Sequence, residues 1–215
     1  MKSAVKLREG SVTQSGFTVA ELLIVLTIIV IVVGLSIPSF SRTIDSSRLK
    51  AATQKLAAVY QDSRLRATQN NTAYEVLLTI PTGKPAQACI DLDGDGVCGA
   101  ADPVTVFGGK VTLSNVGVPV KLDATSLNFP INSTETSTMH TPQDTMVPGL
   151  AWNARGLPCQ RASAASTCLP TGWVQHVQYQ RANGEILYGA VSVSPTGRVK
   201  TWTYISSGSG NGQWL

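Results

Sequence analysis

The chain has 215 residues, 43% of them hydrophobic and only 14% charged, and carries a formal charge of +4. That length supports one domain with a real core plus an appendage. It is no polycation: without Lys2, Lys6, Arg8 and Glu9 of the first sixteen residues, 14 basic side chains face 12 acidic ones, so bulk electrostatics do not mark it as a nucleic-acid binder.

Residues 17–37 form an apolar run of 21 residues with one charge, Glu21. As a helix this run is long enough to cross about 30 Å of hydrocarbon. Three readings fit it: a cleaved secretory signal ending near Ser39 and Ser41, a plain membrane anchor, or a leader ending at Gly16 with Phe17 as a new N-terminus. Glu21 separates them, because an ionisable group in such a run is costly and needs a partner. A free α-amine on a neighbouring copy of Phe17 would serve, and a pair of that kind could fix the register between stacked helices.

Gly16-Phe17-Thr18-x-x-Glu21 followed by an aliphatic run resembles the processing and assembly signature of type IV pilins and type II secretion pseudopilins. The resemblance implies cleavage after Gly16 by a prepilin peptidase, methylation of the Phe17 amine, and subunit registration through Glu21. It also implies an inner-membrane protein, single-pass with a periplasmic head, that passes into a pilus or pseudopilus beside other pilins. Charge flanking does not set orientation, because Lys2, Lys6 and Arg8 precede the run and Arg42, Arg48, Lys50 and Lys55 follow it.

Pro38 lacks the N–H that the Gly34 carbonyl would accept, which predicts a kink between them or an end to the span. Beyond it Leu49, Ala52, Leu56, Val59 and Ser63 recur at steps of three and four, an amphipathic stripe. Asn70-Asn71 reads as a stop, so a long helix is predicted over residues 18–69.

From Tyr74 the period turns to two. Strands are predicted at residues 74–80, 104–107, 110–116, 118–122 and 126–131, followed by a Ser/Thr-rich surface loop at 132–145. Residues 173–181, Asn183-Gly184 and residues 186–194 read as a hairpin; a second turn at Pro195-Thr196-Gly197 leads into 198–205 and completes a three-stranded meander. The early helix, two β regions and a meander carrying "SPTGRVK" resemble the GspH/FimT subgroup of minor pilins and pseudopilins. The expected fold class is α+β: a long N-terminal helix, transmembrane in its first half and amphipathic in its second, packed on an antiparallel β head. The expected divisions are a leader at 1–16, a membrane or filament-core helix at 17–37, its amphipathic half at 38–70, the head at 71–205 and a flexible tail at 206–215.

Four cysteines fall in two pairs of equal spacing, Cys89 with Cys98 and Cys159 with Cys168. Three pairings exist in principle, and the two local ones are expected, each worth about 2.5–3 kcal/mol by loop entropy. Disulfides imply an oxidising compartment such as a periplasm. A zinc site is disfavoured, since no close-set Cys-x-x-Cys occurs and His140 and His176 are isolated.

Between the first pair, Asp91, Asp93, Asp95 and Asp102 have the spacing of an EF-hand-type calcium loop, with Gly96 at its sharp turn and the Val97 carbonyl as backbone ligand. Two departures stand against it: Asp102 replaces the longer Glu, and flanking helices are missing. A solvated acidic turn is the alternative. In the tail, Arg198 and Lys200 lie near Trp202, Tyr204 and Trp214, a cation-and-aromatic grouping that could hold DNA. Gly197-Arg198-Val199-Lys200 resembles the Gly-Arg-x-Arg motif of some FimT-branch DNA binders, with Lys in place of the second Arg and its bidentate geometry lost. Solvent-facing residues of an edge strand are the alternative. No catalytic cluster is evident, and no enzyme is expected.

Overall fold

The computed structural model describes residues 16, 18–80, 83–114, 117–120, 122, 124–129, 143–160, 169–170, 172–206 and 212–215. Its first element is helix α1 (Val19–Gln69). A reciprocal cap starts it: the Thr18 N–H and hydroxyl both donate to Glu21 Oε2 at 3.0 Å, and the Glu21 N–H donates to Thr18 Oγ1 at 3.3 Å. At the other end Asn71 takes the left-handed conformation at φ 49°, and the Thr72 N–H reaches back to the Ala67 carbonyl at 3.1 Å. That bond closes the last turn on itself, as the Asn70-Asn71 stop anticipates.

The chain forms two compact units, Met1–Thr43 and Ile44–Leu215. In the first, the large apolar side chains of residues 22–33 are 48–70% exposed. Here the structure corrects the expected fold class. Among the described residues no helix is long and apolar enough to cross a membrane. Further on α1 is charged, with Arg42, Asp45, Arg48 and Lys50 in sequence. A helix with a transmembrane first half is therefore not what is observed, and the expected single-pass inner-membrane localisation falls with it. The helix assignment continues past Gly34 and Pro38, so Pro38 does not terminate it; the Pro38 side chain lies outside the described residues.

In the second unit the stripe on α1 is buried as its spacing predicts. Leu49, Ala52, Leu56, Val59 and Ser63 are all under a tenth exposed, joined by Thr53, Tyr60 and Ala67. They share one core with Val76, Leu78, Ile90, Leu113, Leu150, Trp152, Trp173, Val177 and Val191. Two antiparallel sheets supply those residues. The first has the order β3-β2-β1-β5-β6-β7, from β1 (Tyr74–Ile80), β2 (Gln87–Asp91), β3 (Val104–Val106), β5 (Gln143–Trp152), β6 (Pro158–Gln160) and β7 (Leu169–Pro170). The second has the order β11-β10-β9-β8-β4, from β4 (Val111–Thr112), β8 (Trp173–Gln180), β9 (Ile186–Val193), β10 (Val199–Ile205) and β11 (Gln213–Trp214).

The meander β8-β9-β10 stands where the alternation and the turn residues put it. Other expectations are corrected. Among the described residues of the expected strands at 118–122 and 126–131 none is strand; a one-turn helix α2 (Ala124–Leu127) stands there instead, followed by Asn128 at φ 58°. Of the strand expected at 110–116, Val111–Thr112 (β4) alone is strand among the described residues. β2, β5, β6 and β7 were not anticipated. β11 gives part of the expected flexible tail a fixed place: Tyr204 pairs with Trp214, and Thr203 and Leu215 exchange both backbone hydrogen bonds at 3.0 Å.

One contact joins the corners of both sheets to the helix. The Arg64 guanidinium lies 5.6 Å from the Trp152 ring centre and donates to the Gly197 carbonyl at 2.8 Å. Gly197 has φ +82°, and a Cβ there would sit 2.8 Å from the Gly156 carbonyl oxygen and 3.0 Å from Arg64 Cζ. Only glycine allows that approach.

Leu56 is fully buried in the shared core while Leu65, two and a half turns on, is 54% exposed. Leu56→Ala is expected to cost about 2–5 kcal/mol and Leu65→Ala under about 0.5 kcal/mol, read as shifts of the urea unfolding midpoint at unchanged m-value.

Candidate functional site

The N-terminal signature is partly described. Gly16 is exposed; Phe17, the expected site of cleavage and methylation, lies outside the described residues. Glu21 is exposed on the first turn of α1. Both Thr18 donors converge on Oε2, and they hold the carboxyl below its usual range, so it is anionic at neutral pH. The capping partner Thr18 was legible from the sequence, as a Thr three residues ahead of a Glu, but was not assigned a role there. Within the apolar run Thr27 hides its polarity locally, donating its hydroxyl to the Leu23 carbonyl at 2.8 Å. That leaves Glu21 as the sole charge on an otherwise hydrocarbon surface.

The acidic loop is closed by a Cys89–Cys98 disulfide. Cys159 is also disulfide-bonded; Cys168 lies outside the described residues. β2 delivers Asp91 to the loop entrance, where it is 3% exposed and accepts the Gly94 N–H at 2.7 Å and the Gly96 N–H at 3.0 Å. Gly96 has φ +78°, the left-handed turn expected of it. Asp95 accepts the Val97 N–H at 2.8 Å, and Asp93 accepts the Asp95 N–H at 3.4 Å. One carboxylate oxygen from each of Asp91, Asp93 and Asp95 lies within 4.8 Å of the others. Three hard oxygen donors at that separation fit a calcium ion, whose ligands sit at about 2.3–2.6 Å. Asp102 is not part of the convergence. It is 8% exposed and spends its oxygens on the loop backbone, accepting Leu92 N–H at 2.9 Å and Gly99 N–H at 2.7 Å.

In the tail, Arg198 and Lys200 are both exposed. Lys200 Nζ stands 3.4 Å over the centre of the Trp202 ring, a close cation–π contact. Trp202 donates its Nε1–H to Ser192 Oγ at 2.7 Å. The other two aromatic residues face each other: Tyr204 and Trp214 have ring centres 5.2 Å apart, and Trp214 also meets His176 at 5.5 Å. Trp214 donates to the Val120 carbonyl at 2.7 Å, which ties β11 to the segment ahead of α2. His176 is 2% exposed with Nε2 accepting the Leu122 N–H at 3.4 Å, a structural histidine. His140 lies outside the described residues.

Sequence reasoning missed one ionic cluster. Asp45 accepts the Tyr179 hydroxyl at 3.0 Å and approaches Arg181 at 3.7 Å, while Arg181 pairs with Glu185 at 2.7 Å. Arg48 donates to the Tyr179 oxygen at 3.1 Å, and the bond raises its pKa further. Nothing in the linear spacing of residues 45 and 181 could have shown it.

Compared with known family models, curated proteins and solved structures, the chain matches none.

If the three converging carboxylates hold calcium, a hundredfold excess over Kd is expected to add about 2.7 kcal/mol, a rise of about 5–10 °C in Tm. The double change Asp93→Asn and Asp95→Asn should remove the rise. A Tm unmoved by millimolar calcium would leave the loop as a disulfide-closed acidic turn.

Proposed function

We propose that this chain is a minor subunit, at the tip in the narrower form of the reading, of a type IV pilus or type II secretion pseudopilus filament. The chain would be cut after Gly16 by a prepilin peptidase, methylated on Phe17, and assembled through the N-terminal part of α1. The observation that carries the reading is the surface of residues 22–33: apolar side chains about half exposed or more, and one carboxylate, Glu21, at their head. Such a surface demands cover. Packing against other subunits would supply it, and the residues are assigned to subunit contact rather than to a span. The Phe17 amine of a neighbour is the counter-ion proposed for Glu21. Its role is mechanical registration, with no catalytic step assigned to any residue.

Calcium is proposed as a ligand of the same chain on the convergence of Asp91, Asp93 and Asp95. Held between the ends of a disulfide-closed loop, the ion would stiffen a surface of the head.

The alternative, a filament-borne DNA receptor using Arg198 and Lys200, has less support. Exposure of both cations favours it. The rings that bases would stack on are otherwise engaged, Trp202 under Lys200 and Tyr204 against Trp214.

Two measurements test these readings. N-terminal mass analysis of the mature chain should give a methylated start at Phe17. Glu21→Ala should cut filament incorporation by about a hundredfold, since it strands a buried amine; unchanged incorporation would end the proposal. For the alternative, Arg198→Ala with Lys200→Ala should leave filaments intact and weaken DNA retention only if these residues form a receptor.

A further inference from the structure

A groove of about 810 Å³ opens on the Ile44–Leu215 unit between α1, the β8–β9 hairpin and the end of β10. Its walls include Leu49, Ile186, Leu187, Ile205 and Leu215. Three of these are large apolar side chains left in solvent, Ile186 at 39%, Ile205 at 53% and Leu215 at 61% exposure. Scattered exposed apolar residues mean little, but three converging on one concavity mark a contact surface. The groove also carries charge. Arg181 and Glu185 line it, but they pair with each other, and Arg181 also with Asp45. Lys50 lines it too, exposed on α1, and among the described residues it has no ion pair.

The same chain owns a complementary surface. Glu21 is the sole charge between residues 19 and 41. Val25, Ile28 and Val32 follow it at four, seven and eleven positions, hence on its own face of the helix, and are 48%, 55% and 57% exposed. Glu21 Oε2 is occupied by Thr18, while Oε1 accepts no hydrogen bond among the described residues. One helix face is therefore apolar with a single anion, and one groove is apolar with a single unbalanced cation.

We infer that this groove receives the N-terminal part of α1 from a second copy, its Val25–Ile28–Val32 face against Ile186, Ile205 and Leu215 and its Glu21 carboxylate at Lys50. The inference rests on the filament reading above and names the head surface that takes the neighbour's helix. Apolar contact drives the docking, and the Glu21–Lys50 pair selects its direction and register. Lys50 is then a second cation for Glu21 beside the amine. The two patches differ, so the contact is head-to-tail, and where the rotation between copies does not close a ring it repeats along a filament beside the Glu21–Phe17 pairing.

Differently tagged full-length chains, co-produced, provide the test: one carries Ile28→Cys, the other Ile186→Cys. Mild oxidation should yield a disulfide-linked pair carrying both tags, reduced at least fivefold when Lys50→Glu is added to the Ile186→Cys chain. The Tm of the Lys50→Glu chain, expected unchanged, excludes misfolding as the cause. If Ile28→Cys links only to itself while Glu21→Ala still blocks incorporation, the groove assignment is overturned and the filament reading survives. If Glu21→Ala and Lys50→Glu both leave incorporation intact, both are overturned.

Discussion

The side chains of Leu56 and Tyr60 have no contact with water, and both sheets of the Ile44–Leu215 unit supply what covers them. Neither sheet could stand alone: β3, β4, β6, β7 and β11 are two or three residues long, too short to hold a register by pairing. The stripe on α1 gives both sheets one apolar surface to lie on, and the order of magnitude is adequate, since a buried Leu or Val contributes about 1.5–3 kcal/mol. The glycine of β9 shows how close the layers come. A Cβ at Gly189 would meet Thr53 Oγ1 and the Leu49 side chain. The backbone of β9 lies directly against helix side chains there, and the acidic loop, β10 and the apolar groove belong to the same Ile44–Leu215 unit.

Elements that state their own physics were legible in the sequence. The stripe from Leu49 to Ser63 and the Asn70-Asn71 stop predict the second half of α1, because a 3.6-residue period and a left-handed Asn are local properties. The β8-β9-β10 meander was legible for the same reason, with Asn183-Gly184 and Pro195-Thr196-Gly197 between alternating segments. β5 was not. It contains Pro148 and Gly149 and begins with polar residues, and its register against β1 is irregular at two points. Pairing with a buried neighbour overrides what its own residues prefer. The reverse happened at α2, where Asn128 accepts a positive φ and a short turn replaces the expected strand. The expected membrane span rested on the apolar run of residues 17–37, and among the described residues no helix is long and apolar enough to cross a membrane.

At the candidate sites, residue types were legible and their partners were not. Spacing put Asp91, Asp93 and Asp95 on one centre, and the carboxylates do converge. The same spacing enrolled Asp102, which instead ties Leu92 to Gly99 and braces the loop from behind. A shorter side chain than the Glu of the full pattern is consistent with that different use. Lys200 and Trp202 were named together, but that the cation would cover the ring depends on the alternation of β10 placing both on one face, two residues apart.

Arg64 has a consequence that reaches past stability. Its guanidinium sits where the β5–β6 turn, through Gly156, and the β9–β10 turn, through Gly197, come within touching distance. Load carried by the part of α1 that holds Arg64 would therefore reach both turns through one planar cation. Losing that one side chain would release both turns at once, so the seam where α1 meets the two sheets would loosen as a unit.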